Sequence, residues 1–83
     1  PVFVVSDGTG DTAEKVVRAA FRQFSGHFIY LRTFPGITTP DQLAYLFRRA
    51  QRQQALVVTT LVRAEMRTAA MHYANEAGVR HID

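Results

Sequence analysis

Four short apolar runs punctuate the chain, and between them the apolar positions change from continuous or alternating to a spacing of three and four. The runs at Val2–Ser6, Phe28–Phe34, Ala55–Thr60 and Val79–Ile82 read as strands. In the intervals, Val16, Val17, Ala20, Phe21 and Phe24 share one helical face, as do Leu43, Leu46, Phe47 and Ala50, and then Met66, Ala70, Tyr73 and Ala77. Strict alternation of strand and helix predicts right-handed crossovers and a parallel sheet, so the fold class is α/β, a three-layer sandwich built as β-α-β-α-β-α-β. The first and third strands are continuously apolar and belong in the middle of the sheet. Arg32 in the second run and Arg80 with His81 in the fourth suit the edges, which gives the strand order 2-1-3-4.

The punctuation supports these boundaries. Thr39-Pro40-Asp41-Gln42 is a strong helix start, with Thr39 as N-cap, Pro40 at the first helical position and Gln42 closing the capping box. Gly78 suits the left-handed residue that ends the third helix, and Ser25-Gly26 serves similarly after the first. The first helix starts at Asp11 as N-cap with Glu14 three residues on, or at Thr12 as a shifted cap.

With 83 residues the chain makes one small domain, and its 47% apolar content with nine aromatic residues suffices for a folded core. Absence of cysteine removes disulfide and thiolate chemistry and permits a reducing, cytoplasmic setting. No run reaches membrane-spanning length, and neither a signal peptide nor an anchor is expected. The formal charge is +3, and all basic residues but Lys15 are arginine, which hints at anion recognition. Arg18/Arg22, Arg48/Arg52 and Arg63/Arg67 are i,i+4 pairs that suit solvated helix faces, and no basic stripe interleaved with stacking aromatics marks a nucleic-acid surface.

The stretch richest in chemistry is Ser6-Asp7-Gly8-Thr9-Gly10-Asp11-Thr12, where an apolar strand breaks into a glycine-bracketed turn and opens a helix. Gly8 and Gly10 allow close backbone approach, and the free N–H groups of a helix start favour an anion. In open parallel sheets ligands bind beyond the carboxyl ends of the strands where the strand order reverses, here between Ser6–Gly10 and Thr59–Arg63. Gly8-Thr9-Gly10-Asp11-Thr12-Ala13 formally matches the G-x-G-x-x-A form of the dinucleotide fingerprint, but Arg32-Thr33-Phe34-Pro35 stands where that site wants an acid. No Walker loop occurs. A phosphoaspartate mechanism of the haloacid-dehalogenase kind is excluded because Val5 occupies the nucleophile position, and a receiver-type site lacks its acids at Thr59-Thr60.

Ser6, Gly8, Thr9, Gly10 and Thr12 are therefore the candidate phosphate or nucleotide contacts, with Asp7 as the candidate catalytic residue. Asp7 either shapes the bend by bonding loop amides or serves a metal or acid–base role; Ser6 and Thr9 either close the turn or touch phosphate. Gly10→Val is expected to block anion binding and leave the fold intact, as a change in an exposed loop. His27, His72 and His81 lie on different elements without metal-ligand spacing. Glu65 and Arg67 start the third helix, as cap and surface pair or, for Arg67, as an anion contact.

Val4-Val5-Ser6-Asp7-Gly8-Thr9-Gly10 with Thr12-Ala13-Glu14, then Gln23-Phe24, Arg32, Thr60-Leu61-Val62 with Glu65 and Arg67, and Gly78 together resemble the amino-terminal part of the pyruvate, phosphate dikinase regulatory protein family. The resemblance runs over the whole chain, and its S-D-x-x-G-x-T-A-E and T-L-V-x-x-E-x-R motifs are specific. It implies a bifunctional serine/threonine kinase and phosphorylase that phosphorylates a threonine of the dikinase with ADP as donor. The same protein removes that phosphate with inorganic phosphate, releasing pyrophosphate; magnesium is a further candidate cofactor. A sister branch regulates phosphoenolpyruvate synthase. The resemblance further implies that the nucleotide-binding P-loop lies in a downstream domain, so that residues 1–83 alone are an inactive, Rossmann-like front domain. It carries Ser6, Asp7, Gly8, Gly10, Thr12 and Glu14, with Arg32, Glu65 and Arg67, onto this chain without assigning each a task. The other reading is a non-catalytic docking or dimerisation module. Expected partners are the dikinase or the synthase, the protein's own downstream domain and a second copy; neither nucleic acid nor membrane is expected.

Overall fold

The computed structural model describes residues 1–23 and 29–83. Strands β1 (Val2–Ser6), β2 (Leu31–Phe34), β3 (Leu56–Thr60) and β4 (His81–Ile82) alternate with helices α1 (Asp11–Phe21), α2 (Pro40–Gln53) and α3 (Ala64–Ala77). The sheet is parallel throughout and ordered β2-β1-β3-β4, as the apolar runs predict. β1 is central because all five of its residues are buried. It pairs Val2 with both Leu31 and Leu56.

Side-chain alternation along β1 divides the core in two. Phe3 and Val5 face α2 and α3 and pack with Leu43, Leu46, Phe47, Val57, Met66 and Ala70. Val2 and Val4 face α1 and meet Ala13 and Val17. The second cluster is smaller, because one helix of eleven residues covers that whole side of the sheet. Leu56 and Val58 of β3 are consequently only half-buried, although their run reads as apolar on both faces, and Ile82 beside Val58 is exposed.

The Thr39 box forms as expected: Thr39 Oγ1 accepts from Gln42 N–H at 3.3 Å, and Gln42 Oε1 accepts from the N–H groups of Thr39 and Thr38 at 3.1 and 2.7 Å. Gly78 ends α3 at φ +67°. Three boundaries differ from the sequence reading. α1 is capped not by Asp11 or Thr12 but by Gly10, at φ +80° and without a side-chain cap bond, so Asp11 is the first helical residue. β2 begins only at Leu31, and β4 at His81. α1 turns Ala13, Val17 and Phe21 inward, a stripe spaced by four that leaves Val16 62% exposed. Phe24, Ser25-Gly26, His27 and Phe28 lie outside the described residues.

Candidate functional site

At the carboxyl end of β1 the chain leaves the sheet, and the turn from Ser6 to Thr12 is held from three directions. Ser6 is buried, and its Oγ accepts the Gly8 N–H at 3.0 Å. The stretch after β2 supplies the second hold: Gly36 N–H donates to the Gly8 carbonyl at 3.0 Å and Ile37 N–H to the Ser6 carbonyl at 2.9 Å. From the β3–α3 loop, Val62 N–H donates to Asp7 Oδ2 at 2.8 Å. Asp7 thus bonds an amide across the crevice rather than those of its own loop, and ties together the two loops that flank the switch in strand order.

Gly10 is buried, unlike its exposed neighbours Gly8, Thr9, Asp11 and Thr12. A Cβ there would lie 2.6 Å from Thr33 Cγ2. Its φ of +80° is in the left-handed region as well, so two independent constraints require glycine. The expectation that Gly10 belongs to an exposed loop tolerant of valine is therefore corrected. Thr33, pressed against this glycine, leaves Oγ1 buried without a hydrogen-bond partner among the described residues.

Thr9 Oγ1 accepts from Asp11 N–H at 3.3 Å, and the Gly10 carbonyl accepts the first α1 bond from Glu14 N–H at 2.9 Å. Within the described residues, the N–H groups of Thr9, Gly10, Thr12 and Ala13 have no partner. These four donors cluster at the positive end of the α1 dipole.

The other candidates are distributed around this turn. Glu14 is on α1 and pairs with Arg18 at 3.4 Å. Glu65 is exposed in the first turn of α3, where its own backbone N–H and then Arg63 hold its carboxyl below the usual carboxylate range. Arg67 Nη1 donates to the carbonyls of Leu61 and Val62 at 3.3 and 2.5 Å, fixing the loop whose amide holds Asp7. Arg32 stands apart on the edge strand, its guanidinium 5.2 Å from the centre of the Phe34 ring.

Sequence reasoning missed one further cluster. Thr59, 1% exposed, places Oγ1 2.9 Å from His81 Nε2 and donates to Asp83 Oδ1 at 3.2 Å. With its proton given to Asp83, the hydroxyl accepts from Nε2–H, which selects that tautomer of a neutral ring. The signal lay only in the parallel register, which sets β4 beside β3. Burial lowers the His81 pKa from 6.5, with the Asp83 carboxylate opposing it. The unfolded chain therefore takes up the proton first as pH falls. His81 contributes its full share of stability above about pH 6.5, loses it as pH drops toward the lowered folded value, and loses no more below that. Urea midpoints between pH 8 and 5 should fall more steeply for wild type than for His81→Gln; parallel curves would count against this.

Among the described residues no group of three or more His, Asp, Glu or Cys side chains could hold a metal ion, and no helix is long and apolar enough to cross a membrane. Asp7 offers one carboxylate here, with Oδ2 accepting the Val62 N–H.

Comparison with known proteins gives the family. A protein of Shouchella clausii (strain KSM-K16) is 38% identical over 82 residues, covering 99% of this chain and 30% of its own length. One from Halalkalibacterium halodurans is 39% identical over 82 residues with the same coverage, and one from Geobacillus sp. (strain WCH70) is 42% identical over 78 residues, 94% of this chain and 29% of its own. Each bears the name of a candidate pyruvate, phosphate dikinase regulatory protein. The chain spans about 30% of the length of these relatives. The family model described as kinase/pyrophosphorylase matches residues 2–83, the full run from β1 to β4, and by that match the chain belongs to the kinase/pyrophosphorylase family.

Proposed function

We propose that this chain is the amino-terminal part of a cytoplasmic regulatory phosphotransferase whose target is pyruvate, phosphate dikinase, and that its Ser6–Thr12 turn receives a phosphate group. The observation that carries this reading is the set of partnerless N–H groups at Thr9, Gly10, Thr12 and Ala13, held in place from β2 and β3. Backbone donors fixed before the ligand arrives bind an oxyanion without reorganisation. In the full protein, ADP-dependent phosphorylation of a threonine and its phosphate-dependent reversal both place phosphoryl oxygens against protein donors. Membership in a kinase/pyrophosphorylase family, with relatives named for regulation of pyruvate, phosphate dikinase, supports that reading. The nucleotide loop and any magnesium site are assigned to the part of the family polypeptide that this chain does not span. Asp7 acts here as a positioning residue: its bond to Val62 holds the turn open toward the crevice.

Titration of labelled protein with inorganic phosphate and with ADP tests the reading. The amides of Gly8, Thr9, Gly10 and Thr12 should shift and saturate together. Amides that stay in place at millimolar concentrations of both would remove the assignment.

A second reading, a docking or dimerisation module, is favoured by one observation. On the α1 side of the sheet Leu56 and Val58 are half-covered, and Ile82, beside Val58, is 55% exposed. An apolar strip beside an edge strand is a surface that a partner covers. The regulated enzyme would be phosphoenolpyruvate synthase if the chain belongs to that branch.

A further inference from the structure

Arg32 of β2 and Arg49 of α2 converge on one aromatic ring. Their guanidinium carbons lie 5.2 and 5.6 Å from the centre of Phe34, so the two cations are within about 11 Å of each other. Of the other arginines, Arg18 and Arg63 pair with Glu14 and Glu65, and Arg67 caps two carbonyls. Among the described residues neither Arg32 nor Arg49 touches a carboxylate or any other acceptor. Among the described residues Arg22, Arg48, Arg52 and Arg80 also lack ion pairs, but none of them is brought onto a ring with a second cation.

Stacking fixes a guanidinium by its face and leaves the N–H donors along its rim free for an oxyanion. Phe34 is itself anchored edge-on against the buried Phe3, with ring centres 5.0 Å apart. The ring is therefore anchored on the core, and both cations lie over it with no carboxylate bonded to either among the described residues. Its position is also telling. Phe34 pairs with Val5 beside the start of the Ser6–Thr12 turn, and Gly36 and Ile37, just beyond Phe34, are the residues bonded to that turn. Arg32 lies in register with Phe3, on the sheet face opposite the one covered by α1.

We propose that Arg32 and Arg49 form a second oxyanion site, separate from the Ser6–Thr12 turn, which takes a phosphate group either free in solution or carried on a threonine of a bound polypeptide. The choice of phosphate among oxyanions, and of threonine as its carrier, rests on the phosphotransfer reading. Two stacked arginines provide planar, paired donors that match a phosphate's oxygens, and the dianion relieves the repulsion between them.

The side-chain Nε–Hε signals of Arg32 and Arg49 report the site directly, and the backbone amides of Gly8–Thr12 report the turn. Probes are inorganic phosphate, a short phosphothreonine peptide and its unphosphorylated counterpart, at constant ionic strength. Both arginine signals should move and saturate together. Arg49→Ala should weaken binding read at Arg32 about tenfold while the amide titration at Gly8–Thr12 is unchanged. Arg49→Lys should recover little, because an ammonium lacks the planar fork. Tighter binding of the phosphopeptide than of phosphate, with none by the unphosphorylated peptide, places the group on a polypeptide; equal binding points to free phosphate. Arginine signals that stay still, or that move equally with chloride, overturn the site, as does undiminished affinity at Arg32 in a folded Arg49→Ala protein. Arginine shifts without amide shifts would keep this site and remove the turn's role; the converse would do the reverse.

Discussion

Gly10→Val is expected to destabilise the whole domain rather than merely to empty a ligand site. A Cβ at this position would meet Thr33 Cγ2 at 2.6 Å, and that methyl belongs to a strand that cannot retreat from β1 without breaking the parallel ladder. The backbone at φ +80° adds a second penalty, severe for a β-branched residue. Overpacking costs about 1–3 kcal/mol and a forced left-handed residue about the same, against roughly 5–15 kcal/mol for a whole small domain. A drop in melting temperature of roughly 10 °C or more follows. Gly8→Ala is the control: a Cβ there meets only Ser6 Oγ, at 3.8 Å. Melting followed by circular dichroism should separate the two variants clearly, and a Gly10→Val protein that melts with the wild type would refute the packing argument.

Phe47→Ala should be as damaging, for a different reason. Its ring is 1% exposed, is held by α2 against Phe3, Val5 and Val57, and stands edge-on to His81 with centres 5.6 Å apart. Truncation leaves a cavity and costs about 3–5 kcal/mol. The side of the sheet toward α1 has too little buried surface to make up the loss, since among the described residues only Val2, Val4, Ala13 and Val17 are buried there. Loss of the ring also opens His81 to water, so its pKa should rise toward the ordinary imidazole value, because burial is the main cause of its depression. Tyr45→Ala, on the same helix but 51% exposed, should change little. A Phe47→Ala protein less than about 1 kcal/mol weaker in urea would show that the core can collapse around the gap.

The parts of this fold that could be read from sequence are those set by local chemistry. Thr39-Pro40-Asp41-Gln42 announces its helix because every bond of the box lies within four residues. The strand order was legible for a similar reason: arginine and histidine in the second and fourth runs are tolerable only where one side of the strand meets water. What was hidden depends on elements that meet only in three dimensions. Gly10 reads as a loop glycine until β2 brings Thr33 against it. Asp7 looks like a local turn-former, and its actual partner is Val62, on the far side of the crevice. Arg49 carries no signal of its own in the helical spacing, and only the fold reveals that Arg32 shares its ring. The apolar run of β3 implies cover on both sides, whereas one short helix leaves Leu56 and Val58 half-buried.

The central place of β1 has a consequence for how the chain is made. Val2–Val5 cannot complete their ladder with the strands that follow immediately in synthesis, because one neighbour begins at Leu31 and the other at Leu56. At ribosomal speeds of about 5–20 residues per second, this greasy tetrapeptide waits roughly 3–11 s for its second flank to be polymerised, longer with the stretch still inside the exit tunnel. An early helix with only Ala13, Val17 and part of Phe21 to offer covers one side of it at best. Until β3 has been made, the apolar β1 therefore lacks its second flank, and slower synthesis between β1 and β3 would lengthen its exposure to misassembly.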